Sequence, residues 1–304
     1  MRLARLFRAL VPRLGLGGRR ALSVPPVSLV YYTAGPRDGE PWVFLHGMGS
    51  MGVSWRPVVK ALRRSCRILV PELSALGGTA APEGGLGIRQ GAAVIARLIE
   101  DEWGGRPVTV AGLSLGGWMA VRLALARPDL VSRLVLIDAG GYRNQNWDRI
   151  QELVTISDLA GVDRLYRALF VRTPWLLRVS RGAFLESYTS PGVKKILTGT
   201  AEADTFDDRE LARLSAPTAL IWGEGDGLFS LEGARAMAAA IPASTLTVIA
   251  GCGHAPHLEC PDRLIEALQT FRRTTPAGGS PPPVPAEAPA AAMSGAAHLP
   301  SGVK

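Results

Sequence analysis

The sequence predicts an α/β fold: a mostly parallel β-sheet with helices on both faces and a helical cap inserted between late strands. Three observations predict it. Short runs that are apolar throughout, such as WVFL, CRILV and PTALIW, alternate with stretches of helical period, and strands of that kind are buried on both faces. The alternation stops after about residue 140 and resumes near residue 216. The 304 residues are 47% apolar, enough for one large domain with a sizeable core.

In chain order, WVFLHG reads as a strand, SWRPVVKALRRS as a helix and CRILVPE as a strand. IRQGAAVIARLIEDEW reads as a helix closed by Gly104 and Gly105, a common stop signal. PVTVAG is the next strand, SLGGWMAVRLALA the next helix and RLVLIDAG another strand. Residues 141–215 are helix-like and loop-like. They are expected to form a cap over the end of the sheet where loops gather and ligands bind. PTALIWG, a helix over SLEGARAMAAAI, the strand STLTVIAG and a helix from Pro261 to about Arg273 complete a core spanning 22–140 and 216–273. Residues 274–304 are Pro, Ala, Gly and Ser with almost no bulky apolar side chain, and are predicted to be a disordered tail.

The net charge of +8 does not describe a basic face. Six arginines (Arg2, Arg5, Arg8, Arg13, Arg19 and Arg20) fall in the first 20 residues with no acidic residue among them, whereas residues 21–273 carry 27 basic and 25 acidic side chains. No nucleic-acid partner is expected from so balanced a body. Residues 1–21 form a basic amphipathic segment in which Leu3, Leu6, Phe7, Leu10, Val11 and Leu14 recur at helical spacing. Its charges interrupt any secretory apolar core. Three readings stay open: peripheral membrane contact through residues 1–20, a mitochondrial-type presequence, or a docking helix. Cys66, Cys252 and Cys260 are odd in number and lack a C-x-x-C pair. That is a poor disulfide framework and favours a reducing compartment. No apolar run reaches the length of a membrane span. A cytoplasmic location follows, with membrane association or a mitochondrial presequence as the alternatives.

The chemistry centres on Gly112-Leu113-Ser114-Leu115-Gly116, between strand PVTVA and the following helix. This G-x-S-x-G forces a sharp strand-to-helix turn that lifts the serine hydroxyl clear of the sheet, near a helix N-terminus that favours negative charge. A serine hydroxyl needs a base within hydrogen-bond reach. Of the four histidines, His298 lies in the tail, and His46 follows a strand and precedes glycine, a loop-shaping position. His254 follows the last strand among small residues, and His257 is its rival, better placed to line the site mouth or cap the next helix. The acid that holds the imidazole tautomer is expected at Asp226, beyond strand PTALIWG, with Glu224 and Asp138 as rivals. An oxyanion hole needs two backbone N–H groups. Leu115 offers one, and Met48, in His46-Gly47-Met48-Gly49, is chosen for the other.

Phe44-Leu45-His46-Gly47, Gly112-x-Ser114-x-Gly116-Gly117, Gly223-x-x-Asp226 and Gly253-His254 stand in the order and spacing of the α/β-hydrolase superfamily, which the chain resembles from about residue 27 to 273. The resemblance is to the serine esterase and lipase-like branch with a helical cap. It implies a Ser114–Asp226–His254 triad with Met48 and Leu115 at the oxyanion positions. Pro71-Glu72-Leu73-Ser74-Ala75-Leu76-Gly77 occupies the place of a family Pro-Asp-x-x-Gly-x-Gly segment, with the aspartate and one glycine replaced.

The expected activity is hydrolysis of carboxylic esters through an acyl-enzyme, without cofactor or metal, on a small-molecule ester with an apolar acyl group. There is no H-E-x-x-H, Walker loop or G-x-G-x-x-G. His46, Phe170 and Trp175 are candidates for contact with substrate. Tyr166, Leu169, Phe170, Trp175, Leu176 and Leu177 either line an acyl pocket or pack the cap against the core. C–C bond, thioester or amide cleavage on the same fold remains the nearest rival, and a non-catalytic ligand-binding member of the superfamily the more distant one.

Overall fold

A computed structural model of the chain describes residues 17–74, 77–81, 86–189, 193 and 204–276. Among these, β1 (Arg19–Val24), β2 (Val27–Ala34), β3 (Glu40–Leu45), β4 (Cys66–Pro71), β5 (Val108–Leu113), β6 (Val131–Ile137), β7 (Thr218–Gly223) and β8 (Ser244–Ile249) form one sheet. Its order is β1-β2-β4-β3-β5-β6-β7-β8. The pairings β1–β2 and β2–β4 are antiparallel and the other five are parallel.

The apolar runs explain the layering. Every residue of β4, β5 and β7 is buried, because helices cover both faces. In β3, Val43 and Leu45 face α2 (Ile88–Trp103) and α3 (Leu115–Ala126), while Trp42 and Phe44 face α1 (Arg56–Leu62) and a C-terminal helix over Pro261–Thr274. Successive strand side chains point to opposite faces, so one run feeds two core clusters. Gly104, at φ 61°, ends α2 in the left-handed conformation. The edge strand β8 departs from expectation, since most of its residues are partly or fully exposed.

The chain between β6 and β7 carries α4 (Trp147–Val154), α5 (Leu159–Leu169), α6 (Trp175–Val179), α7 (Arg181–Tyr188) and α8 (Asp208–Leu211). This insertion lies on the loops that follow the sheet strands. Gly227 N donates to Ala168 O at 2.9 Å and His254 N to Leu169 O at 2.8 Å. Its far end is tied to α3, where Trp118 Nε1 and Arg122 Nε donate to Asp204 O at 2.7 and 2.9 Å. The remaining described helices are α9 (Leu231–Ala240), α10 (Pro256–Glu259) and α11 (Pro261–Thr274).

Two expectations change. Cys252 and Cys260 form a disulfide across α10, their Cα atoms 6.2 Å apart, whereas Cys66 is buried and free. The turn after β8 brings together two residues whose separation of eight carries no sequence signature. The core also starts earlier than residue 22, because β1 pairs with β2 from Arg19 onward. Arg20 and Tyr31 both reach Glu102 of α2, at 3.0 and 2.7 Å. The helical reading of residues 1–16 and the tail from 277 lie outside the described residues. No helix among the described residues is long and apolar enough to cross a membrane.

Removing residues 1–21 cuts β1 in half and takes away the Arg20–Glu102 pair. Against a chain lacking residues 1–16, that truncation is expected to lower Tm, by about 2–4 °C for each kcal/mol lost in a domain of this size. Equal melting points in calorimetry would show that Arg19–Ala21 add nothing to the sheet.

Candidate active site

Ser114 stands between β5 and α3 with φ 53° and ψ −118°, a backbone region that L-residues occupy only under constraint. The constraint is visible. Ser114 N donates to Ile137 O at 3.0 Å, and Trp118 N and Gly140 N donate to Ser114 O at 3.0 and 3.1 Å. A Cβ at Gly112 would run into the carbonyl of Gly116, and one at Gly116 into the carbonyl of Leu45. Both glycines are therefore demanded by close backbone approach. Leu115 is the first residue of α3, where backbone N–H groups have no partner within the helix.

The loop after β3 comes up against the serine: a Cβ at Gly47 would sit 3.3 Å from Ser114 Cβ. Met48 is next, half-buried against the larger core cluster. Glu72, at the place of the family's aspartate, braces this loop. Glu72 is buried and accepts from Gly52 N through both carboxylate oxygens at 3.1 Å, pinning the far end of the Met48 loop. The departure from the family's aspartate was the one available signal. A second unforeseen contact comes from the insertion: Tyr188, stacked on Phe184 at 5.2 Å, packs where a Cβ of Gly49 would be.

His46 is not exposed to substrate. It is buried, with Nδ1 2.9 Å from Gly47 O and Nε2 accepting from Leu73 N at 3.0 Å. Both nitrogens are spent on backbone, which fixes the Nδ1–H tautomer and joins the loops after β3 and β4. This corrects the substrate-contact expectation and keeps the loop-shaping one.

His254 and Asp226 are brought together from the ends of β8 and β7. His254 Nδ1 lies 2.8 Å from Asp226 Oδ2. The other carboxylate oxygen accepts from Leu228 N at 2.8 Å and Phe229 N at 3.0 Å. The Phe229 ring is 5.3 Å from the imidazole and also packs on Gly140, whose N–H holds Ser114. Phe229 thus bridges the serine and histidine loops, although no sequence motif marked it.

The three rivals take other parts. Glu224 is exposed and accepts from Gly251 N at 3.0 Å, bracing the loop that leads to His254. His257 is not at a site mouth. It is buried on Trp55 at 4.8 Å, and burial, then the neighbouring His254 and His46, lower its pKa to about 3. A neutral, packed ring is the result. Asp138 ends β6 at φ 41° and is completely buried. Its Oδ1 accepts from Gly223 N at 2.8 Å, and a carboxylate oxygen lies within 4.8 Å of ligand atoms of both Asp226 and His254. Burial, reinforced by the charge of Asp226, raises its pKa well above the usual carboxylate range. Asp138 thus holds its proton to higher pH than an exposed carboxyl does.

The insertion side chains divide into two groups. Tyr166 and Phe170 are buried, edge to face at 5.9 Å, and the Phe170 backbone abuts Gly253. Leu169 and Leu177 are half-buried. Trp175 and Leu176 are instead 73% and 55% exposed. This corrects the expectation for both. The short α6 buries none of its residues, so its apolar side chains face outward.

Residues 42–267 match the model of the alpha/beta hydrolase family. The chain belongs to that family. It is 28% identical over 265 residues to a pimeloyl-[acyl-carrier protein] methyl ester esterase of Aliivibrio salmonicida, covering 80% of this chain and 95% of that one. A bacterial membrane phospholipase A superposes with a TM-score of 0.78 at 20% identity, over 90% of this chain and 91% of that one. Carboxylesterase CesB of Bacillus subtilis gives 0.74 at 19%, over 88% and 96%. The two solved structures share this chain's fold.

Asp138 carries a pH signature. At pH values below the ordinary carboxylate pKa, folded and unfolded chains are both protonated there and the residue costs nothing. As pH rises, the unfolded carboxyl ionises while the buried one stays protonated, so its contribution to stability falls. Asp138→Asn removes that titration. Its Tm relative to wild type is expected to rise as the pH increases through the ordinary carboxylate range. A difference independent of pH in thermal scans would mean that Asp138 is ionised in the fold.

Proposed function

We propose that the protein is a serine hydrolase of carboxylic esters with an apolar acyl group. The observation that carries this reading is the His254–Asp226 pair at 2.8 Å, set at the same sheet edge as the strained turn of Ser114. In the proposed reaction the Ser114 hydroxyl attacks the ester carbonyl as His254 Nε2 takes its proton. Asp226 keeps Nδ1–H directed to itself and stabilises the imidazolium. The N–H groups of Met48 and Leu115 receive the developing oxyanion. Collapse of the tetrahedral intermediate expels the alcohol, which takes the proton from His254 and leaves Ser114 acylated. Water then attacks the acyl-enzyme with His254 as base and releases the acid.

Support for the acyl preference comes from Met48, Leu115 and Phe229, the apolar side chains on the loops around Ser114 and His254. The esterase among the relatives supports the ester as the bond cleaved. Asp138, buried near Asp226 and holding Gly223 N at the end of β7, fits a positioning role.

A series of p-nitrophenyl esters of increasing acyl length tests the reading. Wild type is expected to hydrolyse it and to be labelled by a fluorophosphonate, and Ser114→Ala to do neither while melting at nearly the same temperature. A Ser114→Ala variant that turns over at the wild-type rate removes the serine mechanism.

Asp226→Asn is expected to reduce kcat by about 10⁴, the size of effect seen when an amide imposes the wrong histidine tautomer. Glu224→Gln, which alters an exposed loop brace, is expected to stay within about tenfold of wild type. The reverse ranking in steady-state kinetics would move the acid away from Asp226.

A further inference from the structure

The outer face of the insertion is apolar where a soluble surface is ordinarily polar. Trp175 is 73% exposed, Val179 71%, Leu176 55% and Val171 50%. Trp175, Leu176 and Val179 fall at i, i+1 and i+4 of α6, one side of a helix. Val171 and Pro174 share an open cleft with Leu258 of α10, which is itself exposed. Large apolar side chains gathered like this mark an interaction site rather than ordinary surface scatter.

The surroundings are rich in arginine, and the one acidic residue lining the cleft, Glu259, has its carboxylate taken by the backbone N–H groups of Arg172 and Gly253. From Arg164 to Leu185 the chain has five arginines (Arg164, Arg167, Arg172, Arg178 and Arg181) and no acidic residue. Arg172, Arg178 and Arg263 are exposed beside the apolar side chains. Arg181 is taken by Asp163 at 3.1 Å. A second copy of the same face is a poor partner, because a two-fold contact sets arginines against arginines. An anionic lipid surface suits it. Apolar side chains and an indole enter the boundary of the acyl chains while guanidinium groups meet headgroup phosphates.

We infer that the face formed by Val171, Trp175, Leu176 and Val179 docks the protein on an anionic lipid surface. The contact is separate from any made by the arginine-rich first 20 residues. It places the lipid beside the site, since Leu169 O accepts from His254 N and Arg172 N donates to Glu259 next to the disulfide. The inference goes beyond ester hydrolysis and does not depend on it, because docking is read without turnover.

Co-flotation of the full-length chain with phosphatidylglycerol/phosphatidylcholine vesicles, against phosphatidylcholine alone, tests it. Wild type is expected to float with the anionic vesicles and to be released by high salt. Trp175→Ser/Val179→Ser is expected to lower the partition constant by at least about tenfold with an unchanged Tm. Arg172→Glu/Arg178→Glu is expected to lose the preference for anionic vesicles, and this surface pair keeps the test valid should the first variant melt early. Three results overturn the proposal. One is wild type that floats with neither vesicle. Another is a pair of variants that bind as wild type does, which moves binding to the N-terminal arginines. The third is wild type that forms dimers, abolished by Trp175→Ser/Val179→Ser, without binding vesicles, which makes the face a contact between copies.

Discussion

Ser114 is held in a backbone conformation that costs on the order of 1–3 kcal/mol, and the surrounding framework is what keeps it there. Strand β5 lies inside the sheet between β3 and β6, so the chain entering the turn cannot relax sideways. On leaving, α3 begins at once, and three backbone hydrogen bonds fix the peptide groups of the serine. Gly112 and Gly116 make room where any side chain would strike backbone. Because β3 and β5–β8 are parallel, the loops carrying Gly47, Ser114, Asp138, Asp226 and His254 emerge at one edge. The parallel sheet converts distant sequence positions into one site.

The two carboxyls at that edge are unequally provided with hydrogen-bond donors. Asp226 has its carboxylate oxygens engaged by two backbone N–H groups and by His254. Asp138, completely buried, has one backbone donor, and its pKa is pushed up. Desolvation and the nearby charge of Asp226 both disfavour the ionised form of Asp138. His257 completes the pattern from the other side. Its low pKa keeps a second cation away from His254. Separation of the two acids depends on backbone donors, and side-chain identity alone would not have produced it.

That dependence also explains what could be read from the sequence. Six parallel or core strands, the elbow and the pair Asp226–His254 were legible because each is written in a local run: an apolar strand, a small-residue turn, a glycine before a polar residue. The β1–β2 hairpin was not. RRALSV is mostly exposed and pairs at the sheet margin, so it lacks the continuous apolar signal of a buried strand. The disulfide was missed because eight-residue spacing means nothing until α10 folds the loop back. The outward course of Trp175 and Leu176 is not written in the sequence, because composition reports that a helix is apolar and not which side is covered. His46 was assigned to two roles, and only its tertiary partners Gly47 and Leu73 separate them.

The insertion is joined to the histidine loop by backbone rather than by side chains alone. Ala168 O holds Gly227 N, Leu169 O holds His254 N, and Glu259 binds Arg172 N and Gly253 N together. The turn from α5 to α6 is thus continuous, through hydrogen bonds, with the loops that carry both Asp226 and His254. Backbone bonds leave less freedom than side-chain packing, because their geometry is directional and their partners are fixed. The Cys252–Cys260 disulfide closes the same His254 loop at its other end. The outward apolar face and the inward polar edge are two sides of one short segment, residues 168–179.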